Sequence, residues 1–177
     1  MKPCFFFDRD GIVNESPGEG RYVERWEDFR LMPAFPRLLK RVQSAGYAAV
    51  VVTNQRCVAL GRISRAELDA MHARFRRTLR EAHAVDVTDI LVCPHDQGVC
   101  TCRKPQPGLL LEAARRHDLD LASSWMVGDR ETDVEAGRAA GCGTILVRAS
   151  PAASAARYVV ESLDALDSLI AAGRLVM

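Results

Sequence analysis

Short apolar runs alternate with stretches of helical periodicity along the whole chain of 177 residues. The runs predict strands at Cys4–Phe7, Tyr47–Val52, Ile90–Val92, Trp125–Val127, Gly143–Val147 and Tyr158–Val160. Apolar residues at helical spacing predict helices over Pro33–Ala45, Ser64–Ala82, Pro107–His117 and Glu131–Ala140, with a last helix over 163–170. Strands that alternate with helices favour an α/β fold, in which a doubly wound parallel sheet carries helices on both faces.

Local signals refine two parts of this pattern. Ser64 followed by Glu67 is typical of a capping box, which predicts the start of the second helix. The stretch 151–156 is rich in Ala and Ser and predicts a surface loop.

The charge balance argues against a polyanionic partner. Lys and Arg number 24 and Asp and Glu 23, so the formal net charge is +1 and gives no reason to expect binding to nucleic acid or to an anionic membrane. No run approaches the ~18 apolar residues of a membrane span. The first apolar run is also shorter than the ~7–15 residues of a secretory leader core. We therefore expect a cytoplasmic, monomeric protein with one domain over 1–177, acting on a small molecule.

Polar side chains follow the predicted strands at the points where these end. Asp8 and Asp10 follow the first strand, Thr53–Asn54 the second, Cys93 the third and Asp129 the fourth. Ligands of open parallel sheets bind beyond the carboxyl ends of the strands. The sequence therefore predicts one functional site at this edge of the sheet.

Asp8 and Asp10 offer two carboxylates on the same side of an extended segment. One could attack phosphorus in a phosphate ester, and the other could give a proton to the leaving oxygen and later activate water. Carboxylates this close repel each other, which predicts a divalent cation between them and Asp129. Oxygen ligands together with a phosphate favour Mg²⁺. Gly11 permits a tight turn and close backbone approach. On its own, the segment is equally typical of a solvated turn.

Four segments taken together resemble the motifs of the haloacid dehalogenase (HAD) superfamily. They occur in the expected order, each after a predicted strand or in the segment that leads to a helix: Asp8–Asn14, Thr53–Gln55, Arg103–Pro105 and Gly128–Asp133. The resemblance implies a Rossmann-like HAD fold, and the chain has no room for a large cap domain. A second aspartate two positions after the first is the phosphatase signature within this superfamily.

The resemblance also implies roles for individual residues. Asp8 resembles the nucleophile, and Asp10 the general acid/base. With Asp129, both would hold Mg²⁺, Asp10 through its backbone carbonyl. Thr53 would bind the phosphoryl group. Lys104 would balance the charge of nucleophile and phosphate.

Three cysteines and one histidine fall within residues 93–102. Cys93 and His95 form a Cys-x-His pair, Cys100 and Cys102 a Cys-x-Cys pair, and such spacing can close a tetrahedral zinc site. Four protein ligands leave no open position, so the zinc would be structural. The alternative is a group of reactive or merely buried cysteines. An ordered loop here would also position Lys104, which follows it directly.

This loop narrows the resemblance to two groups of small HAD phosphatases, those acting on heptose 1,7-bisphosphate and those acting on histidinol phosphate. In this group Asn54 and Arg103 are expected to contact substrate, and Asp133 to support the metal site or the lysine. The heptose enzymes usually carry an arginine where Leu60 stands, so a second phosphate would lack one partner unless Arg56 or Arg62 replaces it.

The resemblance implies a Mg²⁺-dependent phosphomonoesterase that works through an aspartyl-phosphate intermediate. The favoured substrate is a sugar bisphosphate such as D-glycero-D-manno-heptose 1,7-bisphosphate, and histidinol phosphate is the alternative. An alternative of another class is a catalytically silent, zinc-stabilised binding module.

Overall fold

A computed structural model describes residues 1–149 and 153–175, so the predicted loop at 151–156 lies partly outside the described residues. All strand pairs within the sheet are parallel, and the strand order is β3-β2-β1-β4-β5-β6. The strands are β1 (Cys4–Phe7), β2 (Ala48–Asn54), β3 (Asp89–Cys93), β4 (Trp125–Gly128), β5 (Gly143–Val147) and β6 (Tyr158–Val160). The α-helices are α1 (Phe35–Ser44), α2 (Arg65–His83), α3 (Gly108–His117), α4 (Glu131–Ala139) and α5 (Leu163–Ala171). The predicted doubly wound fold is confirmed.

Strand β1 lies at the centre of the sheet and is buried on both faces. Its side chains alternate, so Phe5 and Phe7 enter one hydrophobic core, whereas Cys4 and Phe6 enter the other. Helices α1, α2 and α5 cover the first core, and α3 and α4 cover the second. Burial on both faces explains why the central strands read as continuous apolar runs.

Helix α2 begins where its sequence predicts. The Ser64 hydroxyl accepts a hydrogen bond from the Glu67 backbone, and the Glu67 carboxylate accepts one from the Ser64 backbone, which confirms the capping box. Its apolar stripe is buried in the first core. The stripe also contains one buried polar side chain, His72.

Differences from the sequence-based boundaries are small. Helix α1 begins at Phe35 instead of Pro33. Two 3₁₀ helices, Trp26–Asp28 and Leu121–Ser123, were not predicted, because three residues are too few to show a periodic pattern. None of the helices in the described part of the chain combines the length and apolar character that crossing a bilayer requires.

Candidate active site

A cavity of about 780 Å³ opens where β1 and β2 end. Residues from the loop after β1, from the end of β2 and from the segments before α3 and α4 share its wall. The sequence-predicted residues that line it are Asp8, Asp10, Asn54, Cys100, Arg103, Lys104 and Asp133. The structure thus brings together side chains that lie far apart in the sequence.

Lys104 is buried at the base of this arrangement and has three partners. Its Nζ lies 2.7 Å from Asp8 Oδ1 and 2.7 Å from Asp133 Oδ1, and it donates a hydrogen bond to the Val52 carbonyl at 2.9 Å. Burial alone would lower the pKa of Lys104, but the carboxylates of Asp133 and Asp8 raise it above its usual value. The lysine therefore stays charged between the two aspartates.

Asn54 is tied to the backbone of the same lysine. Its Nδ2 donates to the Lys104 carbonyl at 3.0 Å, and its Oδ1 accepts from the Lys104 amide at 3.1 Å. This reciprocal pair fixes the backbone of Lys104. Asn54 and Arg103 both line the cavity, and their contact with substrate stays a prediction.

Asp10 is held by side-chain donors from three residues. Arg9 donates to both carboxylate oxygens at 3.0–3.2 Å, Asn14 Nδ2 to Oδ1 at 2.9 Å, and Gln55 Nε2 to Oδ2 at 3.0 Å. Burial alone would raise the pKa of Asp10, but Arg9 and these hydrogen bonds hold it below its usual value. Gln55 Nε2 also donates to the buried Thr53 hydroxyl at 2.8 Å, which links the two residues.

Sequence reasoning assigned no role to Arg9 or Gln55. Arg9 lies in the turn after β1, where no periodic pattern predicts the burial of a charged side chain. It is nevertheless buried, with 1% of its surface exposed.

Three carboxylates, those of Asp8, Asp129 and Asp133, each place one oxygen within 4.8 Å of the others. Burial raises the pKa of Asp129 to about 6, with Asp133 adding to the rise. Burial also raises the pKa of Asp8 to about 7, against the opposing effect of Lys104. Asp129 Oδ1 is buried and has no hydrogen-bond partner among the described residues, and the Arg130 Nε beside it stays 4.0 Å away. An excess of buried negative charge with an orphaned oxygen fits a divalent cation such as Mg²⁺.

Gly11 passes directly against this carboxylate cluster. A Cβ built on Gly11 would lie 2.3 Å from Asp129 Oδ2, and the residue has a φ of +95°. Both the space and the backbone conformation require glycine here. The predicted close approach of the backbone is therefore present.

The side chains of Cys93, His95, Cys100 and Cys102 converge in the loop after β3, as the spacing predicts. Neighbouring ligand atoms are 3.3–3.7 Å apart, and all four lie within 4.8 Å of one another. Ligand atoms of a tetrahedral zinc site are about 3.5–3.8 Å apart. Burial and the neighbouring sulfurs raise the pKa of Cys102 to about 12. Burial also acts to raise the pKa of Cys100, but hydrogen bonds from Cys102 and the loop backbone lower it to about 6. A bound cation would be needed to keep Cys102 as a thiolate. The donor set fits zinc.

Comparison with known proteins decides the family. A family model described as HAD-hydrolase-like matches residues 101–166. The D-glycero-beta-D-manno-heptose-1,7-bisphosphate 7-phosphatase of Salmonella typhi is 37% identical over 182 residues, covering 95% of each chain. The chain belongs to the HAD family of phosphatases. Within this family it falls in the group of the heptose bisphosphate phosphatases, and the alternative of a silent binding module is set aside.

Two further relatives support this HAD assignment. The enzyme of the same name from Pseudomonas aeruginosa is 38% identical over 149 residues, 83% of this chain and 82% of that one. The crystal structure of D,D-heptose 1,7-bisphosphate phosphatase from B. bronchiseptica has a TM-score of 0.86 and 32% identity. It covers 98% of this chain and 99% of that chain, and its crystal contained magnesium and phosphate. The fold expected of a HAD phosphatase without a large cap is confirmed.

Arg56 and Arg62 were considered as replacements for the arginine that Leu60 displaces, and they differ in their position relative to the cavity. Arg56 lines the cavity, and its Nε lies 2.6 Å from Oδ1 of Asp96. Asp96 belongs to the segment 93–102, here named the Cys/His loop. Arg62 pairs with Glu24 at 2.6 Å and packs over the Tyr22 ring, and it is not part of the described cavity wall. Of the two, Arg56 is therefore the one placed to meet a bound anion.

Proposed function

We propose that this chain is a magnesium-dependent phosphomonoesterase that acts on D-glycero-D-manno-heptose 1,7-bisphosphate through a phosphorylated Asp8. One observation carries the proposal: the Asp8 carboxylate lines the cavity 2.7 Å from the Lys104 ammonium, within a cluster of carboxylates that fits a cation. A nucleophile, a fixed positive charge and a metal site are what phosphoryl transfer requires. The names of the relatives support the choice of substrate.

The reaction proceeds in two balanced steps. A carboxylate oxygen of Asp8 forms a bond to phosphorus while the bond from phosphorus to the sugar oxygen breaks. Asp10, which Arg9 keeps ionised in the free site, takes up a proton when the anionic ester binds and gives this proton to the sugar oxygen. In the second step Asp10 takes a proton from water, whose oxygen attacks phosphorus and releases Asp8 and inorganic phosphate. Asp8 and Asp10 share the cavity, so both can reach one bound ester.

Positive charge and hydrogen bonds hold the phosphoryl group during both steps. Lys104 balances the negative charge of Asp8 and of the phosphate, and Thr53 binds a phosphoryl oxygen. Asp8, Asp129 and the backbone carbonyl of Asp10 would hold Mg²⁺, which supplies further charge neutralisation and keeps the nucleophile ionised. Asp133 supports Lys104 through their ion pair.

We assign the four side chains of the Cys/His loop to a structural zinc ion. Asp96 of this loop pairs with Arg56, and the loop ends next to Arg103 and Lys104. Zinc would therefore fix one wall of the cavity and contribute to folding of the loop.

Elemental analysis of the purified protein is expected to find about one zinc per chain. Cys102→Ser should reduce this content well below one, because it removes a ligand, and should lower the melting temperature. Cys142→Ser is the control, since Cys142 is a buried cysteine outside the loop. A fully loaded Cys102→Ser protein, or a folded wild-type protein free of zinc, would overturn the assignment.

The second phosphate of the substrate would bind Arg56, which compensates for Leu60. We expect Arg56→Ala to reduce kcat/KM for the bisphosphate about ten- to thirtyfold, the scale of a lost charged hydrogen bond of ~1.5–2 kcal/mol. Activity on a heptose 7-phosphate, which lacks the second phosphate, should change little. Arg62→Ala is the matched control in the same segment. Equal losses on both substrates, or equal losses in both variants, would contradict the assignment of Arg56.

Phosphate release from a panel of esters tests the proposed substrate. The panel contains both anomers of heptose 1,7-bisphosphate, histidinol phosphate and small sugar monophosphates. We expect the highest kcat/KM for one heptose bisphosphate anomer. A higher value for histidinol phosphate would move the assignment to the alternative substrate.

A further inference from the structure

Arg9 is a buried cation that the reaction steps described above do not use. Only 1% of its surface is exposed, and its guanidinium lies 5.9 Å from the centroid of the Phe29 ring. Burying a guanidinium away from water costs free energy unless its nitrogens form hydrogen bonds or ion pairs. Here Nε and Nη2 bind the Asp10 carboxylate at 3.0–3.2 Å, and Nη1 lies 3.2 Å from His72 Nε2. Each nitrogen of the guanidinium therefore has a partner.

His72 reaches this site from the middle of α2, at a position 63 residues away in the sequence. An arginine has no acceptor, so His72 Nε2 must accept the hydrogen bond, and the imidazole proton is then on Nδ1. Burial and the charge of Arg9 lower the pKa of His72 to about 3, with Asp10 opposing, which keeps the ring neutral. The histidine is thus a fixed acceptor in an otherwise apolar stripe.

The contacts form one chain from α2 to the cavity. His72 holds Arg9, Arg9 holds both carboxylate oxygens of Asp10, and Gln55 holds the same carboxylate from the end of β2. A carboxylate that receives donors from several directions has few accessible rotamers. Its direction toward the bound ester then depends on residues that never touch the ester.

We propose that Arg9 and His72 are positioning residues that orient Asp10 for proton exchange with the leaving oxygen. The inference rests on the proposed function, because it takes Asp10 to be the proton donor. It adds that α2, which supplies no group to the chemistry, sets the geometry of the acid through one imidazole. Asp8 meets Arg9 through the Arg9 backbone amide, which donates to Asp8 Oδ1 at 2.7 Å, and not through the guanidinium that binds Asp10.

The test compares two leaving groups in His72→Leu, which keeps the stripe apolar and removes the acceptor. A sugar oxygen needs a proton as it leaves, whereas 4-nitrophenolate needs little assistance. We expect kcat/KM for heptose 1,7-bisphosphate to fall about tenfold and kcat/KM for 4-nitrophenyl phosphate to stay within twofold. This ratio reports only the steps up to phosphorylation of Asp8, so it leaves out the later activation of water by Asp10, which both esters share. His72→Gln, whose side-chain oxygen can accept from Arg9, should recover most of the activity.

Met71→Leu is the control, because Met71 is also buried on α2 and carries no side-chain nitrogen or oxygen that could accept a hydrogen bond from Arg9. An equal fall in kcat/KM on both substrates in His72→Leu, or an unchanged kcat/KM for the sugar ester, would overturn the inference. Asp10→Asn separates this failure from failure of the proposed function. If Asp10→Asn loses kcat/KM selectively on the sugar ester and His72→Leu does not, the proposed function stands and the positioning role is wrong. If Asp10→Asn shows no such selectivity, the proposed proton donor itself is wrong, and the positioning role with it.

Discussion

Replacing Asp8 by asparagine is expected to abolish phosphate release, with a loss of about 10⁴- to 10⁶-fold in kcat, the scale observed when a nucleophile is removed. The amide has nearly the same shape but is a poor nucleophile, and it cannot form the phosphorylated intermediate. The measurement is release of inorganic phosphate at saturating magnesium. Incubation with substrate followed by rapid acid quenching should show a gain of one phosphate in the mass of the wild-type chain and none in the variant.

The same substitution should leave the fold intact, and the sign of its effect on stability follows from the pKa of Asp8. Burial raises this pKa from 3.8 to about 7 in the metal-free protein, against the opposing effect of Lys104. The folded form then binds more protons than the unfolded form between these values, so the free energy of unfolding falls as pH rises through this range. Asparagine does not titrate, so the variant does not lose this part of its free energy of unfolding as pH rises. The metal-free variant should therefore melt at or above the wild-type temperature at neutral pH.

Asp69→Asn is the matched control, because it makes the same chemical change at an exposed ion pair on α2. It should keep full activity. More than about 1% residual activity in Asp8→Asn, with no phosphorylated wild-type chain, would remove Asp8 from its assigned role.

Gly11→Ala is expected to reduce activity by about 10²-fold or more, although no reacting group is removed. The new methyl group would lie 2.3 Å from Asp129 Oδ2, so the carboxylate or the backbone must move. Misplacement of about 1 Å at a catalytic site can cost 10²-fold in rate. Because Asp129 is an assigned magnesium ligand, the magnesium concentration that gives half-maximal activity should also rise.

Gly46→Ala is the control that separates the clash of the new methyl group from the strain of a positive φ. Gly46 has a φ of +89°, close to the +95° of Gly11, and nothing lies within 4 Å of the position that a Cβ would take there. Both variants carry similar left-handed backbone strain, of about 1–3 kcal/mol. Gly46→Ala should be destabilised but active. Comparable activity in the two variants would show that the contact with Asp129 is not critical.

The order and type of the regular elements could be predicted from the sequence because their signals are local. The capping box at Ser64 and the apolar stripe of α2 depend on residues a few positions apart, and both are found in the structure. The sequence could also predict that Asp8 and Asp129 converge, since parallel strands bring their carboxyl ends to one edge of the sheet. These predictions needed only periodicity and topology.

The contacts of individual side chains could be predicted less well from the sequence. No local pattern shows that His72 faces Arg9, because its position on the apolar stripe predicts burial but not a polar partner. For Asn54 the motif suggested contact with substrate, whereas the structure engages both ends of its amide with the Lys104 backbone. Such pairings require atoms from distant parts of the sequence to be placed to within a few tenths of an ångström. The spacing of residues in the sequence does not encode positions that precisely.

Both hydrogen bonds between Asn54 and Lys104 involve main-chain atoms of the lysine, so they do not require its side chain and are open to every residue except proline. An exchange at position 104 therefore alters charge without releasing the peptide that carries it. The course of this main chain and the charge at the base of the cavity are thus held by two separate sets of contacts.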